Sequence, residues 1–192
     1  MRHDVLGVGI DAVTEAQALD IITGFVREGG AHQVVTANPE ILDNATRTPA
    51  LHALIRRAAL VTADGQGVLL AGRILGTPFP ARVTGIELAE ALCRESAARG
   101  LSLYFLGAAP GVVDEAAEKM RAAYPGVRIV GTHHGYFKKE GPAAVLADIK
   151  ATKPDILLVG MGSPYQEQFI DEHLAECGVS VGIGVGVNAL LS

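Results

Sequence analysis

From Leu101 onward the chain alternates with a regularity that few folds can accept. Apolar runs at 103–106, 127–130, 156–159 and 181–185 are separated by helix-like segments at 111–123, 142–152 and 164–177. A short apolar run with no polar alternation suits a strand buried on both faces, and a helix between two such strands is the crossover that lets them lie parallel. The amino half follows the same plan less evenly. Val5 to Ile10 is expected as one short strand, Thr14 and Gln17 form a capping-box pattern that opens a helix through about Val26, and a strand at His32 to Ala37 follows. Pro39 can start a short helix, Pro49 to Ala59 carries Leu51, Leu54 and Ile55 on one helical face, and Leu60 to Ala63 is the next strand. Gly67 to Leu75 reads as an apolar helix. After the rigid Thr77-Pro78-Phe79-Pro80, Thr84 and Glu87 make a second capping box for a helix that ends near Gly100. The predicted fold class is α/β: a single domain over residues 1–192, with a Rossmann-like, mostly parallel sheet and helices on both faces.

Composition sets the limits of that fold. A chain of 192 residues with 49% hydrophobic content can bury roughly 70% of the surface it exposes when unfolded, enough for one core. The net charge of -5 argues against nucleic acid as a partner, since broad phosphate neutralisation needs a basic face. Cys93 and Cys177 have no partner at metal spacing and are expected to be reduced packing residues. Met1-Arg2-His3-Asp4-Val5 carries no export pattern, so a cytoplasmic protein is expected. The nearly uncharged run from Val179 to Leu191 falls short of the roughly 20 residues a spanning helix needs.

Parallel strands end at one common edge, and that carboxyl edge is where ligands bind in open α/β sheets. It receives Thr36-Ala37-Asn38-Pro39-Glu40 from one strand and Asp64-Gly65-Gln66 from another. It also receives four glycine-rich exits: Gly107-Ala108-Ala109-Pro110-Gly111, Gly131 to Phe137, Gly160-Met161-Gly162-Ser163-Pro164 and Gly184-Val185-Gly186. Glycine admits close backbone approach, and the helix that follows offers free N–H groups and a positive dipole end of about +0.5 charge, so a diphosphate is a natural guest. Any single glycine loop serves plain turn geometry equally well.

Other sites are weaker. Gly182-Ile183-Gly184-Val185-Gly186 lies inside a strand rather than between strand and helix, and no Gly-Lys-Ser/Thr phosphate loop occurs, which disfavours both common nucleotide modes and a nicotinamide-dependent oxidoreductase. His133 and His134, adjacent on an extended segment, are expected to point to opposite sides and not to share a metal. Ser163 is expected to cap a helix rather than act as a nucleophile. Asp64 must reach solvent in a cleft or be paired; since Asp-Gly is also a common turn pair, the residues alone leave it open between turn former and acid–base group.

Six short segments taken in order resolve that choice by likeness. Thr36-Ala37-Asn38-Pro39-Glu40, Asp64-Gly65, Arg82-Val83-Thr84-Gly85, Leu106 to Gly111, His134-Gly135-Tyr136-Phe137 and Gly160 to Glu167 together resemble the WecG/TagA/CpsF glycosyltransferase family across nearly the whole chain. The resemblance implies an inverting transferase that moves a sugar from a UDP-sugar to a polyprenyl-diphosphate-linked N-acetylglucosamine. In the teichoic acid branch the donor is UDP-N-acetylmannosamine; other branches use an N-acetylmannosaminuronic acid or other sugars. Carried over by position, the likeness implies a catalytic set of Asp64 as base with Thr36 and Gln166. Asn38, Arg82, Gly107, Ala108, Tyr136, Gly160, Gly162, Glu167 and Gly186 are the expected substrate-binding residues, with Tyr136 beside the uracil.

No cofactor or metal is expected, because the chain has no Asp-x-Asp pair to hold a divalent ion. Family members usually continue beyond the last Gly-Val-Gly with a basic, helical appendage, whereas this chain reads Gly186-Val187-Asn188-Ala189-Leu190-Leu191-Ser192. The resemblance implies that this appendage brings arginines to the site and makes a peripheral contact with the inner face of the cell membrane. A homo-oligomer is also expected. The rival reading is a non-catalytic nucleotide-sugar binding module.

Overall fold

The structure, a computed structural model, describes residues 1–186 and 189. Its centre is a six-stranded sheet in the order β4-β3-β8-β7-β5-β6, formed by β3 (His32–Ala37), β4 (Leu60–Ala63), β5 (Ser102–Gly107), β6 (Arg128–His133), β7 (Ile156–Gly160) and β8 (Val181–Gly184). All five pairings are parallel, so every strand delivers its exit to the same edge. The predicted α/β class and the expected strands of this sheet are observed, each within two or three residues of its bounds.

Successive residues of a strand face opposite sides, and here both sides are covered. Val34, Leu103, Phe105, Leu158 and Ile183 pack with Ile22, Leu88 and Leu92, which belong to α1 (Glu15–Glu28) and α5 (Gly85–Arg99); α6 (Val112–Ala123) lies on the same side. Val35 and Val61 face α2 (Pro39–Arg47) and α3 (Pro49–Arg57). Tyr104, Leu106, Leu157 and Val159 face α7 (Ala143–Thr152) and α8 (Tyr165–Cys177). The remaining helix, α4 (Gln66–Ile74), follows β4 directly. Both capping boxes are formed, Thr14 with Gln17 and Thr84 with Glu87. Cys93 and Cys177 are buried and unpaired, and burial pushes the Cys93 thiol up to about 12, as suits packing residues.

The first strand departs from expectation. In place of one strand from Val5 to Ile10, the chain forms an antiparallel hairpin of β1 (Arg2–Val5) and β2 (Val8–Asp11). Leu6 and Gly7 turn between them with φ of 55° and 79°, the geometry of a two-residue turn matched to strand twist. The apolar Leu6 in the turn conceals the break in the sequence. This hairpin shields the edge of the sheet: Asp11 Oδ2 accepts the Val61 N–H at 2.9 Å, satisfying an amide that edge strand β4 would otherwise expose.

Candidate active site

At the carboxyl edge, above β4, β3 and β8, lies a hollow of about 540 Å³. Thr36, Asn38, Asp64, Arg82, Gly162, Gln166 and Gly186 all border it. Parallel pairing is what assembles them. The register that sets Ala37 opposite Ala63 brings Asn38 and Asp64 side by side, with the Asp64 N–H donating to Ala37 O at 2.9 Å. Thr36, buried, donates its hydroxyl to Gly184 O on β8 at 2.8 Å. The Arg82–Thr84 connection is fastened over the end of β4: Val83 N–H donates to Ala63 O at 2.8 Å and the Thr62 hydroxyl donates to Val83 O at 3.0 Å. This places the first amide of α5 over the acid, and Gly85 N–H donates to Asp64 Oδ2 at 3.3 Å.

Three helices, α2, α5 and α8, point their N-termini at the hollow. Their dipole ends favour anionic groups, and so do the unpaired amides of their first turns. Asn38 caps α2 by accepting the Ile41 N–H on Oδ1 at 2.8 Å, which turns its Nδ2 donor away from the helix. The half-buried Asp64 feels opposing effects. Burial pushes its carboxyl above the usual aspartate range, and the Gly85 N–H and the Arg82 guanidinium pull part of that shift back. Arg82 itself is fastened to Glu87, Nη2 to Oε1 at 2.8 Å, while Glu87 Oε2 accepts the Thr84 N–H at 3.0 Å.

Residues 3–189 match the Glycosyl transferase WecG/TagA/CpsF family. The chain belongs to this family. It is similar to the N-acetylglucosaminyldiphosphoundecaprenol N-acetyl-beta-D-mannosaminyltransferase of Staphylococcus aureus strain NCTC 8325 / PS 47, with 36% identity over 187 residues, 96% of this chain and 73% of that protein. The protein of the same description from strain MRSA252 is 35% identical over the same lengths. As a member of the WecG/TagA/CpsF family the chain is a glycosyltransferase, and the edge hollow with Asp64 on its wall is its candidate active site.

Not every expected residue of this transferase lies there. Ala108 and Tyr136 border a second hollow of about 630 Å³, further along the same edge and floored by Phe137, Met161 and Phe169. The Gly160–Gly162 exit lies between the two, with Met161 on one side and Gly162 on the other. Gly107 and Gly160 border neither hollow. They face each other in the β5–β7 pairing, and a Cβ on Gly107 would fall 2.2 Å from Gly160 O, so strand contact is what demands glycine at Gly107. Glu167, 1% exposed, lies beneath Gln166 and does not border the hollow.

Two local expectations are corrected. Ser163 does not cap α8: the N-cap is Pro164, without a side-chain bond, and Ser163 Oγ is sealed and unpartnered. His133 and His134 do not diverge. Their ring centroids are 4.6 Å apart, because His133 ends β6 and His134 already belongs to the loop, where strand alternation no longer holds. Sequence reading missed the Gly85 N–H and the Glu87 carboxylate as parts of the site, although the Thr84–Glu87 capping box had placed that helix start. The apolar residues Val187, Leu190 and Leu191 lie outside the described ones.

Proposed function

We propose that this transferase moves N-acetylmannosamine from UDP-N-acetylmannosamine to the C4 hydroxyl of a polyprenyl-diphosphate-linked N-acetylglucosamine, with inversion, as in assembly of the wall teichoic acid linkage unit. One observation carries the reading: a half-buried acid, Asp64, stands in a hollow that three helix N-termini make receptive to a diphosphate. The names of the Staphylococcus aureus relatives support the choice of sugar and acceptor.

In this mechanism Asp64 takes the proton of the acceptor hydroxyl as its oxygen attacks the anomeric carbon. The bond from that carbon to the UDP oxygen breaks on the opposite face, and its electron pair leaves with the diphosphate. The ionised carboxylate accepts the proton as the alcohol turns acidic in the transition state, an effect worth roughly 10² to 10⁴ in rate. Charge developing on the leaving group is met by the α5 and α8 N-termini and by Arg82, without a metal ion. Thr36, Asn38 and Gln166 orient the sugar, and the nucleoside extends toward Tyr136 in the second hollow.

The polyprenyl acceptor places the working enzyme at the inner membrane surface. Among the described residues no helix is long and apolar enough to cross a membrane; the contact proposed with that surface is a peripheral one. Self-association is part of the same proposal.

The deciding experiment incubates the full-length protein with UDP-N-acetylmannosamine and a soluble N-acetylglucosamine-diphospholipid analogue. Formation of the β-linked disaccharide is expected. UDP binding without turnover favours the non-catalytic module, and turnover with a different UDP-sugar alone reassigns the donor.

A further inference from the structure

Among the described residues, Glu167 is the charged side chain that the fold buries, at 1% exposure. It stands in the first turn of α8, below Gln166. Its Oε1 accepts from Gln166 Nε2 at 2.8 Å, and Gln166 Oε1 in turn accepts the Gly162 N–H at 3.2 Å. The space for this pair exists because β8 carries glycine: a Cβ on Gly184 would lie 2.9 Å from Gln166 Nε2 and 3.0 Å from Glu167 Oε1. Glu167 Oε2 and the neighbouring Ser163 Oγ are both sealed, and neither completes a hydrogen bond. Burying a carboxyl with half its oxygens unused is costly, and an apolar side chain would fill the volume without that cost. The side-chain hydrogen bond that the carboxyl completes is the one on Oε1, from Gln166, while the Ser163 hydroxyl beside it only steadies the charge.

A carboxamide can rotate by 180° and exchange donor for acceptor. Gln166 cannot do so here. The reverse orientation would set its oxygen against the Glu167 carboxyl and its NH₂ against the Gly162 N–H, two like contacts in place of two hydrogen bonds. Within the described residues the second N–H of Nε2 has no partner, and Gln166 borders the ligand hollow.

We infer that Glu167 is a positioning residue that locks the Gln166 carboxamide, so that an N–H, and never the C=O, is presented to an oxygen of the sugar donor. This rests on the proposed reading of the hollow as the transferase site. Burial pushes the Glu167 carboxyl above the usual glutamate range, yet the lock tolerates either protonation state, because a proton on Oε2 leaves Oε1 free to accept.

The test is steady-state kinetics of the full-length protein with the UDP-sugar varied, for Glu167→Ala, Glu167→Gln, Gln166→Ala and the double alanine variant, each checked for folding by thermal melting. Glu167→Ala is expected to lower kcat by about 10- to 100-fold with little change in KM. Glu167→Gln keeps an acceptor in place and is expected to stay within about threefold of the parent. The double variant is expected to match Gln166→Ala alone, since a lock has nothing left to hold. A near-normal kcat for Glu167→Ala, losses that multiply in the double variant, or a Glu167→Gln defect as deep as that of Gln166→Ala overturns the inference. If Glu167→Ala fails to fold, the Glu167→Gln result decides alone. Full turnover by Gln166→Ala overturns the reading of the site and this inference with it, whereas an impaired Gln166→Ala beside an intact Glu167→Ala overturns only the inference.

Discussion

Asp64 Oδ2 accepts the backbone N–H of Gly85 at 3.3 Å, across the junction where β4 ends and α5 begins. The acid is thereby held at a helix N-terminus yet partly removed from water, and removal from water is the stronger influence on its carboxyl. In the proposed mechanism the ionised form is the one that takes the proton. Activity is therefore expected to fall as pH drops through a point above the ordinary aspartate range, and a kcat/KM profile with no acid limb there would refute the base assignment. Asp64→Asn should remove the limb and lower turnover by about 10² to 10⁴ while UDP still binds, as measured by calorimetry.

The same shift makes a prediction for stability. A carboxyl whose folded pKa is raised supports the fold below its unfolded pKa, and that support is lost as pH rises through the folded value. At neutral pH an ionised Asp64 weighs against folding, so Asp64→Asn should melt higher than the parent. A lower melting temperature would mean that Gly85 and Arg82 outweigh burial.

Glu87 does two jobs that substitution can separate. Burial raises its carboxyl, but the Thr84 N–H, the Thr84 hydroxyl and Arg82 together outweigh that and hold it below the usual glutamate range. Its contribution is complete above the unfolded pKa and lost as pH falls through the depressed folded one. Glu87→Ala loses the capping box and should cost about 1 kcal/mol in urea denaturation. Glu87→Gln can still cap the helix but gives up the charge and frees Arg82, so it should lose less stability than Glu87→Ala while turnover falls; equal turnover would remove Arg82 from the mechanism.

Gly107 has φ of 140° and backbone 2.2 Å from where a Cβ would stand, so Gly107→Ala should cost about 3 kcal/mol or more in unfolding free energy. A well-folded variant with weakened UDP affinity would return Gly107 to the binding set.

Tyr136 is 69% exposed on the rim of the second hollow, where truncation costs the fold little. If it stacks on the base, Tyr136→Ala should raise the Kd for UDP about tenfold and leave the melting temperature unchanged. Unchanged affinity would move the nucleoside elsewhere.

If helix N-termini and Arg82 carry the leaving charge as proposed, turnover should withstand EDTA. Activity that disappears with chelation and returns with magnesium would require a metal in the mechanism.

Much of the fold was legible because local rules and tertiary needs agree. β3 and β4 run between the expected ends, both capping boxes close, and the parallel plan follows from apolar runs too short and too uniform for anything but buried strands. The hairpin was hidden because Leu6 resembles a strand residue while serving as a turn. Ser163 precedes a helix in the usual position for a cap, but the Gly162–Pro164 backbone makes Pro164 the cap residue and leaves the hydroxyl sealed.

What the amino-acid order determined alone is the set of elements and the edge at which their polar exits gather, since periodicity and caps act within a few residues. Which exits meet was a tertiary decision. Strand order set Asn38 beside Asp64 and carried Tyr136 to a separate hollow, and Gly184 of β8 lets Gln166 and Glu167 settle against the sheet. The wall of the hollow closes over a longer span still, Thr36 bonding Gly184 across 148 positions of the chain, and packing between distant segments leaves no periodic mark on the sequence.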